Sequence, residues 1–487
     1  MEAILKGIEW LSDNIFWGIP MIVLILGCGI FFTIRSKFFQ IRKFGLSFDK
    51  TFGDSFRAMR KKDQAKDKNN VSPFEAFSTA VSGTIGTGSI VGVTTAIIYG
   101  GPGAVFWMWI SAFFGMITKY SEITLSLYYR KKDKKGEFIG GPMYYIEYGA
   151  KKKWLAIMFA ICAMVASIGI GMVQTNTIQE NWVALTKGVV PAWVIAVVVV
   201  ALAALVLIGG IKRIGKVSSI MVPFMAIFFI LITIVIVISN AALVPSAFVA
   251  IFQAAFGVKA LSGGLVGSGI MLSMRYGFGR GIFCNEAGLG SSPIAHATAT
   301  TKEPVEQGLW GVFEVFLVNF IICTLTALCV LTSGLLGQDL SAGAIAMGAF
   351  SGFLKTFGEI SYSIILPLFS FSTILAWAVY GSKATQYLFN KNQEKSNLVY
   401  NIIYLAVILV VCVVLSFGGV GDASKIVWGI SDIFNATMAI PNLIGLLMLN
   451  GMVLKITKNY FDRKKGLDVK PMISAYTDLE KQEQPKE

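Results

Sequence analysis

Gly86-Thr87-Gly88-Ser89 and Gly288-Leu289-Gly290-Ser291 are two copies of one four-residue pattern, GxGS, and each interrupts a long apolar segment. Glycine at that spacing lets a helix unwind. In hydrocarbon an unwound turn frees backbone N–H and C=O groups, each costing several kcal/mol when unsatisfied. Such breaks persist only where they are buried in protein or line a polar cavity. A matched pair in two halves of one chain points to a binding site near the bilayer midplane.

The surrounding composition agrees with a membrane setting. Of 487 residues, 55% are hydrophobic and 14% charged, against ~25% charged in a typical soluble domain. The chain therefore reads as an all-α polytopic membrane protein. Its 50 glycines suit close helix packing in lipid. Cys28, Cys162, Cys284, Cys323, Cys329 and Cys412 are scattered through apolar stretches with no CxxC, and read as small buried hydrophobes. His296 is the single histidine, so no His-rich metal site is available. The net charge of +14 would suggest nucleic acid in a soluble protein. Here the charge lies in loops, where topology and membrane lipid account for it. The N-terminus carries Glu2, Lys6 and Glu9 and no basic leader, so the first apolar run is expected to stay as a helix.

Eleven apolar spans approach the ~20 residues that a bilayer requires. They cover roughly 13–34, 74–99, 104–129, 154–182, 190–209, 217–240, 263–299, 307–334, 358–388, 398–416 and 426–453. Residues 246–256 and 338–355 read as short connecting helices, and the charged tail from about 456 as disordered. Lys and Arg concentrate in 35–70, 130–153, 212–216, 391–395 and the tail, while the alternate loops carry little more than one lysine each. That bias places the basic loops and the C-terminus in the cytoplasm and the N-terminus outside.

Spans two to six and seven to eleven make two sets of five. Five is odd, so the second set runs opposite to the first, and the GxGS copies fall in the first helix of each. That is the arrangement of an inverted repeat. The expected division is 1–70 as an extra helix with a basic linker, 71–245 and 246–455 as the repeats, and 456–487 as a cytoplasmic tail.

Chemistry concentrates at the breaks. Ser78 to Ser89 is dense in Gly, Ser and Thr, and the half-helix after the break offers free N–H groups and a positive dipole end suited to a carboxylate. Carbonyls before the break suit Na⁺. Alone, the stretch reads equally as a small-residue packing face; the second copy favours the functional reading. No strand or GK[ST] accompanies it, so it is no phosphate loop. Asn285 and Glu286 precede the second copy inside an apolar span. An ionisable residue there marks a functional site or satisfies the unwound backbone, and both roles can hold together.

Gln174 lies deep in the fourth span and can bond a ligand or a neighbouring helix. Ser372 and Thr373 offer hard oxygen ligands of the kind Na⁺ takes, or back-bond to the preceding turn. Trp377 walls a small pocket or packs. Asp432 in the last span needs a partner or water, and Arg280 is a candidate partner. Glu75, Lys119 and Glu122 sit near helix ends and read as snorkelling residues.

Gly100-Gly101-Pro102-Gly103-Ala104-Val105-Phe106-Trp107-Met108-Trp109, Gly140-Gly141-Pro142-Met143-Tyr144-Tyr145, Asn285-Glu286-Ala287-Gly288 and Ser292-Pro293-Ile294-Ala295-His296-Ala297 together resemble the alanine or glycine:cation symporter family. The resemblance runs from about 71 to 455. It implies a LeuT-type 5+5 inverted repeat with one extra N-terminal helix and two broken helices. It also implies Na⁺-coupled uptake of a small neutral amino acid, alanine or glycine and in some members glutamine, at the plasma membrane. Carried over by motif, substrate contacts fall on Thr87, Gly88, Ser89, Gln174, Phe283, Asn285 and Trp377. Sodium falls on the carbonyls of Ser82 and Ile85 and the hydroxyls of Ser372 and Thr373. Gly86, Glu286, Gly288 and Gly290 shape the breaks. The chain departs from the family pattern at Ser89, usually Asn, and at Cys284, usually Ser; the shorter Ser89 leaves room for a substrate larger than alanine.

No cofactor beyond the coupling ion is expected. The chain has no nucleophile–base pair, metal cluster or nucleotide loop, which argues against an enzyme or an ATP-driven pump. An ion channel gains its pore from symmetry around several subunits, and the internal repeat argues against that. Proton coupling through Glu286 is the nearer alternative.

Overall fold

A computed structural model describes residues 7, 10–11, 17–53, 70–257, 266–389, 393–417 and 420–476. Each expected span meets a helix. α1 is Ile19–Arg35. The second span divides into α2 (Pro73–Thr84) and α3 (Val91–Gly100). α4 (Gly103–Tyr128), α5 (Lys153–Leu185), α6 (Ala192–Leu207), α7 (Gly210–Ser239) and the connecting α8 (Val244–Ala255) follow. The seventh span divides into α9 (Val266–Asn285) and α10 (Ser292–His296). α11 (Pro304–Leu331), α12 (Ala342–Leu388), α13 (Gln393–Phe417) and α14 (Val420–Met448) complete the membrane set. Backbone at Lys355 leaves the helical region, so α12 joins the expected connecting helix to the ninth span through a kink. Among the described residues, six helices are long and apolar enough to cross a bilayer unaided.

Local chemistry sets the ends of the first broken helix. Ser72 accepts from the N–H of Glu75, and the Glu75 carboxylate accepts from the N–H of Ser72 at 2.7 Å, with Pro73 in the first turn. This capping box satisfies donors that would otherwise be orphaned. Glu75, expected to snorkel, is thus a helix cap. At the other end Ile85 leaves helical geometry, Gly86 is extended, and Thr87–Ser89 form one 3₁₀ turn before α3.

The second break is sharper. Glu286, Gly288 and Gly290 all take positive φ, at 54°, 91° and 83°. Glycine occupies that region freely; a non-glycine there stores strain and is found at functional sites. The start of the first broken helix is joined directly to the end of the second. Val71 and Ala299 form a parallel bridge, with Thr300 N–H donating to the Val71 carbonyl at 2.9 Å.

α5 packs along α12 and α14, while α4 packs against α9 and α11; α2 lies between α7 and α12. Both breaks therefore sit in the middle of the bundle. All six cysteines are buried and free of disulfides.

Three further features depart from expectation. Lys119 and Glu122, expected to snorkel, are fully buried in α4. The basic stretch after α4 contains a two-stranded hairpin, β1 (Lys131–Lys132) with β2 (Phe138–Ile139). The tail expected to be disordered is structured as far as residue 476: α15 (Asn450–Lys464) continues the chain, and the segment after it returns so that Ala475 N–H bonds the Tyr128 carbonyl at 2.8 Å. Residues 477–487 lie outside the described set.

Candidate substrate and ion site

The last turn of α2 faces the middle of α12. Thr373 Oγ1 donates to the Ser82 carbonyl at 2.9 Å, and Ser372 Oγ lies 3.4 Å from the same oxygen. Both hydroxyls also back-bond to Phe369 O at 2.9 Å, a bond that serine and threonine commonly make within a helix. One carbonyl and two hydroxyls converging in a buried space form a hard oxygen set that fits a small monovalent cation. Gly86 is required by close approach: a Cβ there would lie 2.7 Å from Thr373 Oγ1 and 3.2 Å from Gln174 Nε2.

Gln174 reaches this point from α5, and its Oε1 accepts from Thr87 N–H at 3.3 Å. Gly86, Gly88, Gln174, Phe283, Glu286, Thr373 and Trp377 then line one small chamber of about 10 Å³, room for about one water. Glu286 contributes from the strained turn while its Oε2 accepts from Ser291 Oγ at 2.5 Å. The chamber is bounded by Phe283, which also lines a second cavity of about 50 Å³ with Trp17, Arg275, Arg280 and Asp432. Trp17, just before α1, donates Nε1–H to the Asp432 carbonyl at 3.1 Å and packs edge-on against Phe283.

The second break is held from both flanks. Glu122 Oε1 accepts from Gly288 N–H at 3.0 Å, and Asn442 Nδ2 donates to the Gly288 carbonyl at 2.9 Å. The Tyr145 hydroxyl donates to Asn442 Oδ1. Below it, Lys119 Nζ lies 3.2 Å from Glu314 Oε1, and His296 Nε2 lies 3.0 Å from Glu314 Oε2. Gln307 contacts the other ring nitrogen of His296 at 2.8 Å. Charges this deep in a membrane protein are costly unless paired.

A break in each of two central helices matches the expected fold, and a hydroxyl pair faces the first break. Residues 1–474 match the sodium:alanine symporter family. The chain belongs to that family. It is 41% identical over 471 residues to an uncharacterized transporter of Haemophilus influenzae, covering 96% of this chain and 97% of the relative. It is 40% identical over 463 residues to the sodium/alanine symporter AgcS of Methanococcus maripaludis, covering 93% and 97%. The probable sodium/glutamine symporter GlnT of Bacillus subtilis is 35% identical over 472 residues, covering 96% and 93%. Among solved structures, MhsT in complex with L-phenylalanine aligns with a TM-score of 0.54 at 12% identity, covering 80% of this chain and all of that one. A manganese transporter of Eremococcus coleocola aligns at 0.52 and 11% identity, covering 84% and 93%. The fold is of the LeuT type, and the relatives are transporters rather than enzymes.

In this symporter-family chain the structure brings some expected residues together and sets others apart. Gly88, Gln174, Phe283, Glu286, Thr373 and Trp377 share the chamber. Ser82, Ser372 and Thr373 meet, and Ile85 is the first non-helical residue beside them. Thr87 meets Gln174 through its backbone, and its buried Oγ1 has no partner. Ser89 turns back toward the Thr84 carbonyl, 3.4 Å away, and its own carbonyl accepts from Thr326. Asn285 Oδ1 caps the break through Ala287 N–H at 2.8 Å, leaving its buried Nδ2 unpartnered. Gly288 and Gly290 shape the second break away from the chamber. Ile170 and Asn435 line the chamber without having been expected. Asn435 had a signal, an amide inside an apolar span; Ile170 had none.

Proposed function

We propose that this protein imports a small neutral amino acid, alanine or glycine, together with Na⁺. The observation that carries this reading is the convergence of the Ser82 carbonyl with the Thr373 and Ser372 hydroxyls, beside a chamber bounded by Gln174, Glu286 and Trp377. Sodium takes the oxygen set. The amino acid's carboxylate meets the free N–H groups at Gly86–Ser89, with Thr87 N–H exchanging its bond from Gln174. The side chain faces Phe283, Ile170 and Trp377, whose bulk favours a small substrate.

Ser89 is not among the residues that line the chamber, and its hydroxyl lies 3.4 Å from the Thr84 carbonyl. That favours alanine and glycine over glutamine, the substrate in the name of the GlnT relative. Residues 71–245 and 246–455 act as oppositely oriented repeats. The end bearing the β-hairpin faces the cytoplasm of a cell whose plasma membrane holds the protein, with the N-terminus outside. Alternating access moves the broken helices against α5 and α12 around the shared site.

Uptake of labelled alanine, glycine and glutamine into proteoliposomes tests the reading. Accumulation is expected with an inward Na⁺ gradient and is lost when choline replaces Na⁺. Uptake that persists in choline under an imposed pH gradient overturns sodium coupling in favour of protons.

A further inference from the structure

The hairpin end of the molecule contains a cavity of about 640 Å³ that the central chamber does not use. Its walls come from α7 at Ile211 and Ile214, from α12 at Ala378, Lys383 and Gln386, and from the hairpin turn. Lys383 Nζ lies 3.0 Å from Glu137 Oε2. One turn further along α12, Gln386 Nε2 donates to Asp133 Oδ2 at 3.1 Å. Asp133 also folds the turn itself, accepting from the N–H groups of Lys135 and Glu137 at 2.8 and 2.9 Å.

The opposite side of the hairpin is tied to the broken helices. Asn70, just ahead of α2, accepts from Phe138 N–H at 2.6 Å and donates to the Gly136 carbonyl at 3.1 Å. Arg130, at the hairpin's root, donates to the carbonyls of Ala299 and Thr301 at 2.7 and 2.8 Å, just beyond α10. Every one of these ties uses a backbone group of the partner segment. The ties to α12 use side-chain tips alone. The hairpin is thus anchored to both broken helices and clipped to the helix that carries Ser372 and Thr373.

We propose that Glu137–Lys383 and Asp133–Gln386 form a latch that keeps the route between chamber and cavity shut, and that the latch parts when the site opens toward the hairpin end. The proposal rests on the alternating-access reading above. Lys383 lies ten residues beyond Thr373 on one helix, about 15 Å along its axis. Separating α12 from α2 at the Ser82–Thr373 contact therefore pulls on the latch as well. The chemistry suits a contact broken every cycle. The Lys383 side chain is 6% exposed and that of Glu137 is 27% exposed, so water reaches the carboxylate end of the pair and weakens it relative to a fully buried one. Lys119–Glu314, by contrast, has both side chains fully buried and is costly to part.

The test uses the full chain with its native cysteines replaced and Ala378→Cys introduced as a reporter, Val379→Cys serving as a second. Labelling by a membrane-impermeant maleimide is followed in inside-out vesicles. Glu137→Gln and Lys383→Met are each expected to raise the labelling rate about threefold to tenfold. The exchange Glu137→Lys with Lys383→Glu is expected to bring it back near the parent rate. Parent-like labelling in both single variants overturns the latch, as does an exchange that labels as fast as the singles. Sodium-driven alanine uptake by the parent is measured in parallel. Its absence defeats the symport reading, while the labelling rates still judge the latch.

Discussion

The hydroxyl of Thr373 lies 2.9 Å from the carbonyl of Ser82, joining residues 291 positions apart at the point where α2 unwinds. The same hydroxyl back-bonds to Phe369, so it is held in place for the ion that the proposed function puts there. Preorganised oxygen ligands lower the ordering cost of binding.

Thr373→Val keeps the shape and removes that oxygen. The concentration of Na⁺ giving half-maximal uptake is expected to rise about tenfold or more, equivalent to about 1.4 kcal/mol. Thr373→Ser should remain within about threefold of the parent. A Na⁺ titration of alanine uptake in proteoliposomes measures both, and an unchanged titration for the valine variant removes Thr373 from the ion site.

Gly86→Ala places a methyl group 2.7 Å from Thr373 Oγ1 and against the Gln174 amide. Overpacking of this kind costs about 1–3 kcal/mol, and here it pushes the ion and substrate elements apart. Uptake is expected to fall at least about tenfold with membrane abundance kept. Immunoblotting beside the transport assay separates that outcome from simple loss of the protein.

Phe283 separates the central chamber from the cavity beneath Trp17. Phe283→Ala should join the two spaces. The ratio of glutamine to alanine uptake is expected to rise about tenfold, in line with pocket discrimination by a few methylenes. A ratio that stays at the parent value shows that another residue sets the size limit.

Glu314→Gln leaves the Lys119 ammonium without its buried counter-charge. Breaking one side of such a pair costs about 3–5 kcal/mol, whereas removing both charges is far milder. Thermal unfolding in detergent is expected to shift down strongly for Glu314→Gln. Lys119→Met combined with Glu314→Gln should recover most of the loss. Equal shifts in the single and double variants would mean that the pair is not the source.

Much of the central site was legible because its signals are local. Two GxGS copies, an amide in an apolar helix and adjacent hydroxyls each stand out against their neighbours without reference to distant sequence. The polar layer under the second break was not legible for the converse reason. Lys119 and Glu122 lie near a helix end, where a snorkelling side chain and a buried one look identical. What decides between them is Glu314, brought alongside by the packing of α4 against α11, and Asn442 of α14, which donates to the Glu122 carboxylate. Ser89 shows a third limit. From sequence alone its short side chain reads as freed volume; in the fold its hydroxyl lies 3.4 Å from the Thr84 carbonyl, a local contact that spacing along the chain does not reveal.

The bridge between Val71 and Ala299 bears on thermodynamic efficiency. Were the two broken helices to swing independently, sodium could escape alone and the gradient would drain without moving cargo. Pinning their ends to each other through Thr300 N–H makes a one-legged excursion break a backbone bond. The coupling of ion descent to solute climb is on this view written into a contact far from either ligand. Leak current without substrate is the quantity in which its loss would be seen.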